Sequence, residues 1–429
     1  MAHAKPFKIG IVGGGAGGII AAIAAHERAH ETETPVEILL FERNPRPGIK
    51  ILISGGGRCN ITHEGPVEAV LREGFPRQAE HRFLKSALYA YTNEDILHLI
   101  EHHGLAWHAR ENGRIFPDSG RAEDVLAALE AELRARRITV RTRTRVTAVT
   151  PRAQGFELSL EGSSETVDAL ILATGGMSYA KTGTTGDGIA YAEMLGHRIV
   201  PVTAALAPIY LRQPPVQELV GISLREVELV AMVGRRVRAR RSGDVLLTHK
   251  GISGPATLGI SHEVAELMRE EGAEVQMAVR LSQATADDLL ALQRERIAQQ
   301  VATWISEWLP NRLAPFVLEQ AQVPADRRWS ALTRDERKQL LATLNAYALG
   351  VVSEVPLDRG EVTAGGVDLK EVDPRTLMSR VVPRLFFAGE LLDVAGEIGG
   401  YNLQAAYSTG HVAGRAAVDL ALAERGEQQ

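Results

Sequence analysis

The fold is decided near the start of the chain, where residues 7–43 read FKIGIVGGGAGGIIAAIAAHERAHETETPVEILLFER. Apolar residues fill Phe7 to Val12, alanine and isoleucine dominate Ile19 to Arg28, and apolar, partly β-branched residues return at Val36 to Phe41. These patterns predict a strand, a helix and a second strand, with Gly13 to Gly18 as the turn after the first strand. A strand, helix and strand of this total length form the βαβ unit of a parallel sheet.

The glycine turn has the spacing GxGxxG at residues 13–18, which is typical of dinucleotide-binding folds when it joins a strand to a helix. Its first glycine permits the tight turn, its second lets backbone N–H groups approach a pyrophosphate, and its third lets the helix pack on the strand. Ala16 and Gly17 lie at the helix N-terminus, whose partial positive charge favours phosphate. Glu42 ends the second strand, where a carboxylate accepts hydrogen bonds from ribose hydroxyls. The stretch predicts a bound dinucleotide; a structural turn in another α/β fold is the alternative.

A second glycine cluster, Gly55-Gly56-Gly57-Arg58-Cys59-Asn60, lies in the loop between residues 48 and 62. Three glycines let a backbone lie flat against a planar ring or a phosphate. Arg58 can pair with phosphate and Asn60 can hydrogen-bond a ring edge, so we favour a cofactor loop over a flexible surface loop. Cys59 is a candidate general acid beside the ring, or a small residue packed beneath it, and we lean towards packing.

Two motifs near the other end of the chain favour FAD over NAD. The apolar strand that ends at Ala388 is followed by Gly389-Glu390, where a carboxylate can hold the ribityl hydroxyls of a flavin. Gly399-Gly400-Tyr401-Asn402 then opens a helix that we predict from Gly399 to Leu422. Its free N–H groups and dipole would face the pyrimidine side of an isoalloxazine ring. Non-covalent FAD held by both ends of the chain is therefore predicted, with a capped helix that binds no ligand as the alternative.

Composition bounds the class of protein. The 429 residues suffice for two or three domains, and the chain has no apolar run long enough to span a membrane. One cysteine excludes an intramolecular disulfide and indicates a reducing compartment, hence a cytoplasmic location. The sequence lacks a metal-spaced Cys/His cluster, a P-loop and a serine elbow. It assigns no oligomeric state.

The net charge of −5 gives no general case for nucleic acid binding. Two local stretches depart from this average. Arg141, Arg143 and Arg145 alternate as on one face of a strand, and a second basic run extends from Arg235 to Arg241. We interpret both as solvated strand or hairpin edges, with an RNA phosphate-binding face as the alternative.

The pattern along the chain predicts one nucleotide-binding domain interrupted by an insertion. The predicted parts are an FAD-binding domain at 1–202 and 349–429, a β-rich domain at 203–283 and a helical subdomain at 284–348, where Trp304 and Trp308 are predicted core residues. We also predict a helix from Asp118 to Arg136, capped by Asp118 or Ser119, and two antiparallel strands at 138–149 and 155–160. The fold class is thus α/β with an α+β insertion.

His249 and Lys250 lie on the glycine-flanked turn Thr248 to Pro255 of the inserted part. A histidine on such a turn is a candidate to meet a substrate over the ring, although a lone histidine is more often structural.

Together these blocks resemble the BaiN-type flavoproteins, which are NAD(P)/FAD-dependent oxidoreductases of the aminoacetone-oxidase family. The resemblance rests on the glycine turn and on the blocks at 53–62, 173–176, 182–188, 248–255 and 387–404, and it spans nearly the full chain. One departure is His63, where asparagine is common. The resemblance implies a glutathione-reductase-like FAD domain with an inserted β-barrel-like and helical module, and with Val146 holding the adenine through its backbone. The predicted FAD contacts are Gly13, Gly15, Ala16, Gly17, Gly18, Glu42, Arg43, Lys50, Gly57, Arg58, Cys59, Asn60, Val146, Thr174, Gly175, Gly176, Gly389, Glu390, Gly400, Tyr401, Asn402 and Leu403.

The resemblance implies reduction of an electron-poor carbon–carbon double bond in a small molecule, with hydride from NAD(P)H by way of the flavin. Only one dinucleotide fingerprint is present, so NAD(P)H would bind transiently. The alternatives are a flavin-dependent dihydrouridine synthase acting on RNA, an amine oxidase, and a non-catalytic flavin-binding protein.

Overall fold

The computed structural model describes residues 6–270 and 272–426. These residues form two compact units: unit 1 contains those up to Thr203 and from Glu361 onwards, and unit 2 contains those between Ala204 and Gly360. Among the described residues, no helix combines the length and apolar character needed to cross a membrane.

Unit 1 is built on strands and helices from both ends of the chain. Its strands are β1 Phe7–Val12, β2 Val36–Phe41, β3 Thr62–His63, β4 Trp107–Ala109, β5 Arg114–Pro117, β6 Thr139–Arg141, β7 Val146–Arg152, β8 Gly155–Leu160, β9 Ser163–Val167, β10 Ala169–Leu172, β11 Ile199–Ala205 (which crosses the boundary), β18 Val362–Val367 and β19 Leu385–Phe387. Its helices are α1 Ala16–Glu31, α2 Ile49–Ile53, α3 Val67–Gly74, α4 Gln78–Ala90, α5 Asn93–His102, α6 Ala122–Ala135, α7 Asp187–Met194 and α13 Tyr401–Gly426.

The central sheet of unit 1 is parallel and has the strand order β19-β10-β1-β2-β6. Strand β10 is a continuous apolar run and β1 is apolar apart from Lys8, as expected for buried parallel strands. The carboxyl end of β1 leads directly into the glycine turn. The predicted βαβ unit is therefore confirmed, and β19, which follows the insertion in the sequence, lies in the same sheet as β1.

Helices α1 and α13 pack closely because glycine removes the side chains between them. A Cβ on Gly410 would clash with the carbonyl oxygen of Gly17, and one on Gly414 would clash with that of Ala21. The two helix backbones therefore approach one another in a way that larger residues would prevent. This packing joins the first helix of the chain to the last one described.

The single strand predicted at 138–149 is wrong in its extent, because two strands occupy this stretch, but the antiparallel pairing predicted with 155–160 is confirmed for residues 146–149. Residues 139–141 form β6, parallel to β2, and β7 starts a separate antiparallel meander with β8 and β9. Arg143 lies between the two strands with a left-handed backbone (φ +53°), and its N–H donates to the carbonyl of Asn44. The alternating arginines therefore do not share one strand face.

The predicted cap of the helix at 118–136 is also wrong. The helix starts at Ala122 with Arg121 as its N-cap and without a side-chain capping bond. The carboxylate of Asp118 instead bonds Nδ1 of His108, at 2.8 Å.

Unit 2 combines a barrel with a group of helices. Its strands are β12 Ile209–Leu211, β13 Ser223–Val233, β14 Arg236–Thr248, β15 Gly251–Ser253, β16 Val275–Arg280 and β17 Tyr347–Glu354. Its helices are α8 Pro255–Leu267, α9 Ala286–Glu295, α10 Val301–Ser306, α11 Ala314–Gln320 and α12 Arg334–Asn345. The strands close into an antiparallel barrel of order β12-β15-β14-β13-β16-β17. The predicted α/β fold with a barrel-like and helical insertion is thereby confirmed.

Three details of unit 2 differ from what the pattern indicated. The boundary expected at residue 348 falls inside β17, which pairs with β12 and β16, and the helix α8 lies within the part expected to be β-rich. Of the two tryptophans predicted in the core, Trp308 is 38% exposed. The fully buried tryptophan is Trp329, whose ring centroid lies 5.3 Å from that of Trp304.

Candidate cofactor site

The glycines of the turn in unit 1 differ in their surroundings: two are tightly packed, and one faces open space. Gly13 has φ +107° and a Cβ there would clash with the carbonyl of Ala173, while a Cβ on Gly18 would clash with the carbonyl of Gly13. Gly15 has an ordinary extended backbone (φ −79°), yet a Cβ there would meet nothing within 4 Å. Helix α1 begins immediately after Gly15 without a side-chain cap or an acidic residue in its first turn. The space beside Gly15 is thus open to an anion at a helix N-terminus.

Glu42, the residue after β2, connects the end of this strand to the glycine turn through hydrogen bonds. Its Oε2 accepts from the N–H of Gly14 at 2.9 Å and its Oε1 from the N–H of Asn44 at 2.7 Å. Burial raises the pKa of Glu42, and the two backbone N–H groups oppose that shift. A carboxylate has about four acceptor positions, so these bonds leave capacity for the hydroxyls of a ribose.

The predicted adenine end is organised around Asp187. Its Oδ2 lies 3.4 Å from Nη1 of Arg43 and 3.0 Å from Nε of Arg145. The hydroxyl of Tyr191 donates to the carbonyl of Val146 at 2.6 Å. Two predicted contacts, Arg43 and Val146, therefore already have protein partners, and a contact of Val146 with adenine stays a prediction.

The loop of the second glycine cluster has a backbone that only glycine adopts readily. Gly55, Gly56 and Gly57 have φ values of +56°, +68° and +84°, and a Cβ on Gly56 would meet nothing within 4 Å. Arg58 is exposed, and its guanidinium carbon lies 5.8 Å from the ring centroid of Phe116. The loop thus presents bare backbone and a cation at the surface of unit 1.

Cys59 points the other way, into the core. It is fully buried, its N–H donates to the carbonyl of Ser54, and burial raises the pKa of its thiol to about 12. This environment favours the packing interpretation, and proton transfer by Cys59 stays a prediction.

Asn60 links this loop to the start of α13. In the amide orientation that satisfies its neighbours, its oxygen accepts from the N–H of Gly400 at 2.9 Å and its nitrogen donates to the carbonyls of Thr62 and Ile115. A Cβ on Gly400 would lie 2.6 Å from the backbone of Thr62. The two motifs, some 340 positions apart in the sequence, therefore form one structure.

The other predicted residues at the start of α13 also have structural partners. Tyr401 is buried and stacks on His63 with ring centroids 4.6 Å apart. Asn402 accepts from the N–H of Gly396 at 2.8 Å and donates to its carbonyl at 2.9 Å. His63, which departs from the usual asparagine, therefore packs against the first residue of α13. Leu403 is partly buried on the same turn.

Lys50 and Glu390 form the ionic centre of the site. Nζ of Lys50 lies 2.6 Å from Oε2 of Glu390 and donates to Oγ of Ser178 at 2.8 Å. Ser178 in turn donates to Oε1 of Glu390 at 3.2 Å, which also accepts from the N–H of Thr363 at 2.8 Å. Two predicted contacts from distant parts of the chain thus lie side by side.

Ser178 and Thr363 belong to this hydrogen-bonded group, although the sequence motifs did not predict either residue. Thr363 Oγ1 accepts from the N–H groups of Met177 and Ser178, which orders the segment after β10. The only hint was that Ser178 closely follows the predicted motif Thr174-Gly175-Gly176. In that motif Gly175 has φ +73°, and a Cβ on Gly176 would clash with Thr363. Gly389, also with positive φ (+72°), donates its N–H to Thr409 at 3.0 Å.

His249 belongs to unit 2, in the turn between β14 and β15. The neighbouring Lys250 places its Nζ 5.0 Å from the ring centroid of Tyr210. A catalytic role for His249 stays a prediction.

The residues of unit 1 fit FAD in kind. The open space at Gly15 and the uncapped start of α1 suit a pyrophosphate, Glu42 suits a ribose, and the Lys50–Glu390 pair suits the polar ribityl and pyrimidine portions. All of these groups belong to one compact unit.

Comparison with known proteins agrees with this arrangement. The family described as HI0933-like protein Rossmann domain matches residues 7–416. The 3-dehydro-bile acid delta(4,6)-reductase of Clostridium scindens is 34% identical over 96% of this chain and 99% of its own. The ribosomal RNA dihydrouridine synthase of Escherichia coli is 32% identical over 93% and 95%. Among solved structures, 3-ketosteroid delta1-dehydrogenase from Sterolibacterium denitrificans shares the fold, with a TM-score of 0.51 and 13% identity over 97% of this chain and 100% of that one.

The predicted family is confirmed, and with it an FAD-dependent oxidoreductase. The chain belongs to the HI0933-like Rossmann family of flavoproteins.

Proposed function

We propose that the protein reduces a carbon–carbon double bond conjugated to a carbonyl group, with hydride that passes from NAD(P)H to FAD and then to a small-molecule substrate. The observation that carries this proposal is the 34% identity with a 3-dehydro-bile acid delta(4,6)-reductase over nearly the whole of both chains. The second relative points to the same class of bond, because dihydrouridine is uridine with its C5–C6 double bond, conjugated to a carbonyl, saturated.

FAD, when bound, supplies the hydride chemistry, and the chain supplies binding and electrostatics. The N–H groups at the start of α1 would hold the pyrophosphate, and the open space at Gly15 would admit it. Glu42 would bind the ribose, and Glu390 the ribityl hydroxyls. Lys50 adds a positive charge beside Glu390, and α13 has no acidic residue in its first turn.

The electron donor is part of the proposal. The chain carries one dinucleotide fingerprint, which the predicted FAD uses, so NAD(P)H would bind for the duration of hydride transfer only. A cytoplasmic location, where NAD(P)H is available and a lone cysteine stays reduced, completes the proposal.

Anaerobic stopped-flow spectroscopy on the purified flavoprotein tests both half-reactions. NADPH or NADH should bleach the flavin, and a steroid 4-en-3-one should restore its colour, whereas the matched saturated 3-ketosteroid should not. A flavin that neither nucleotide bleaches would rule out the pyridine-nucleotide reductase. A flavin reduced by aminoacetone instead would favour the amine oxidase.

The Lys50–Glu390 pair provides a variant for the same assay. Lys50→Met removes the cation but keeps much of the side-chain volume, and it should slow flavin reduction or weaken FAD binding by at least tenfold. Lys85→Met is the matched control, because Lys85 is exposed on α4. Equal behaviour of the two variants would remove Lys50 from the cofactor site.

Dihydrouridine synthesis in RNA is the second candidate, favoured by the 32% identity with a ribosomal RNA dihydrouridine synthase. The basic stretches support it weakly, because many of their arginines are ion-paired: Arg141 with Glu165, Arg145 with Asp187, and Arg238 with Glu270. Reoxidation of the reduced protein by a uridine-containing ribosomal RNA fragment, with binding that weakens steeply as salt rises, would favour RNA over the steroid.

A further inference from the structure

Two side chains of opposite charge in unit 1, those of Glu361 and Arg114, have no ion-pair or hydrogen-bond partner among the residues that the structure describes. Glu361 directly precedes β18 and is exposed, and Arg114 is the first residue of β5 and is partly buried. Each acts on the other electrostatically, but no nitrogen of Arg114 comes within ion-pairing distance of the Glu361 carboxyl. Both groups are therefore free to bind a ligand.

The backbone of Glu361 is joined to the ionic centre of the cofactor site. Its carbonyl oxygen lies 3.5 Å from Oγ of Ser178, the hydroxyl that also bonds Lys50 and Glu390. Two residues further along, Thr363 donates its N–H to Glu390 Oε1 at 2.8 Å. Lys50 is close enough to the Glu361 carboxyl to act on it electrostatically. The free carboxyl thus stands beside the predicted FAD contacts rather than among them.

Arg114 reaches the same place from another element. It lies opposite His63 in the pairing of β3 with β5, and its carbonyl accepts from the N–H of Arg110 at 2.9 Å, which closes the turn between β4 and β5. Its guanidinium acts electrostatically on both Glu361 and Tyr401, the first residue of α13. The guanidinium is therefore near both Glu361 and the start of α13, where a flavin contact is predicted.

The other groups near this centre that could give up a proton are engaged or enclosed. Glu390 already bonds Lys50 and accepts from two further donors. Both ring nitrogens of His63 face backbone carbonyl oxygens, at 2.9 and 3.1 Å. Cys59 is fully buried, and Tyr401 is buried with its pKa raised to about 12. Among these described groups, Glu361 is the acid that combines an unoccupied side chain with access from solvent.

Reduction of a conjugated double bond needs two groups besides a source of hydride. A cation or hydrogen-bond donor must stabilise the negative charge that develops on the carbonyl oxygen, and an acid must protonate the carbon next to the carbonyl. A guanidinium offers five N–H donors and stays charged. Burial raises the pKa of Glu361 against the opposing effects of Arg114 and Lys50, so its carboxyl keeps a proton to higher pH than an ordinary glutamate does.

We propose that Arg114 binds the carbonyl oxygen of the conjugated substrate and that the carboxylic acid of Glu361 protonates the carbon next to that carbonyl. This inference rests on the proposed function. The hydride of the proposed reduction forms a C–H bond at the β-carbon while the π bond breaks, and the proton of Glu361 forms the second C–H bond at the α-carbon. The double bond is reduced, NAD(P)H is oxidised, and the Glu361 carboxylate regains a proton from water.

Anaerobic stopped-flow spectroscopy on the flavin-loaded Glu361→Gln variant separates the two half-reactions. Bleaching by NADPH or NADH should match that of the unaltered protein within threefold, whereas reoxidation by a steroid 4-en-3-one should slow by about 100-fold or more. Glu361→Asp keeps an acid and should recover at least tenfold of this loss. Glu111→Gln is the matched control, because Glu111 is exposed in the turn that precedes Arg114, and it should leave both rates unchanged.

The pH dependence of reoxidation gives a second readout. Since the protonated form of Glu361 is the active one, the rate in the unaltered protein should fall as pH rises through the raised pKa of this carboxyl. The charged groups that act on it are Arg114 from β5 and Lys50 from α2. Glu361→Gln should lack this fall.

Binding of 4-nitrophenolate to the oxidised flavoprotein tests Arg114 without turnover, because a phenolate resembles the enolate of a conjugated ketone. In calorimetric titrations Arg114→Met should weaken this binding at least tenfold, and Arg114→Lys should recover part of the loss. Arg110→Met is the matched control, because that guanidinium lies 4.1 Å from the ring centroid of Phe116, and its affinity should stay within threefold of the unaltered protein. Flavin fluorescence confirms that FAD stays bound in each variant.

Three results would overturn the proposal. They are a Glu361→Gln protein that is reoxidised as fast as the unaltered one, equal slowing of both half-reactions in that variant, and phenolate binding that is absent or is insensitive to Arg114→Met. The proposed reduction fails in a different way, because the reduced flavin of the unaltered protein would then not be reoxidised by any conjugated ketone.

Discussion

Replacing Gly15 by alanine should weaken flavin binding by roughly 100-fold or more without harming the fold. The backbone at Gly15 has φ −79° and ψ −170°, which alanine adopts without strain, and the added Cβ meets nothing within 4 Å. A compatible glycine-to-alanine change stabilises a fold by about 0.4–1 kcal/mol, because the unfolded chain loses freedom. The unliganded variant should therefore unfold at the same urea concentration as the unaltered chain or slightly above it.

The effect on the cofactor should be large, because the same Cβ would occupy the space that a pyrophosphate needs. A phosphate pushed outwards would lose hydrogen bonds from the N–H groups at the start of α1, each worth about 1.5–3 kcal/mol because the acceptor is charged. Loss of two such bonds raises the Kd for FAD by roughly 100-fold or more. Titration of the unliganded protein with FAD, followed by flavin fluorescence, measures this change.

Gly18→Ala provides the contrast, because its Cβ would clash with the carbonyl of Gly13 and should destabilise the fold itself. A Gly15→Ala protein that binds FAD within threefold of the unaltered chain would refute the placement of the pyrophosphate. A Gly15→Ala protein that fails to fold would contradict the open space and ordinary backbone at Gly15.

Three further predictions concern the stability of unit 1. Gly414→Ala should lower the free energy of unfolding by about 1–3 kcal/mol in urea titrations, because its Cβ would clash with Ala21 on α1, whereas Gly426→Ala on the same helix has open space and should change it by less than 0.5 kcal/mol. Cys59 should resist iodoacetamide at pH 8 until the chain is unfolded, and rapid labelling of the native protein would contradict its burial. Burial raises the pKa of its thiol to about 12, so between pH 9 and pH 12 the folded state keeps a proton that the unfolded chain releases. The free energy of unfolding should therefore fall as pH rises from 9 towards 12. Glu31 pairs with Arg415 and Arg28 and has its pKa lowered to about 2, so Glu31→Gln should cost less than about 1 kcal/mol at pH 7, and this difference should disappear as pH falls from 4.5 to 2.

The sequence located the parallel sheet well because its patterns are local. The strands Phe7–Val12 and Val36–Phe41 were predicted to the residue, since each is apolar apart from one charged residue near its start, Lys8 or Glu37, and is bounded by turn residues. The helix α8 escaped notice because Gly254 and Pro255 open it and polar residues such as Ser261 lie on its buried side. Local composition there indicates a loop, and burial in unit 2 decides otherwise.

The candidate site was predictable in its residue types but not in its partners. The motif of Asn60 indicated a ligand contact, but its amide bonds Gly400, a pairing that depends on the tertiary fold. Ser178 and Thr363 have ordinary surroundings in the sequence and gain their importance only from contact with Lys50 and Glu390. Arg143 shows the opposite failure: its alternation with Arg141 imitates a strand, whereas its own backbone is left-handed.

The glycine contacts between α1 and α13 have a consequence for biosynthesis. A ribosome makes α1 early, but β19 and α13 emerge only after the whole barrel and its helices. Until then one side of α1, with its buried alanines and isoleucines, has no covering helix, and the loop of the second glycine cluster lacks the contact between Asn60 and Gly400. Domains assembled in this way finish folding after synthesis of the insertion, so the nascent chain exposes apolar surface that chaperones recognise. We therefore expect the predicted FAD site to be complete only after the whole insertion, β19 and α13 have been synthesised.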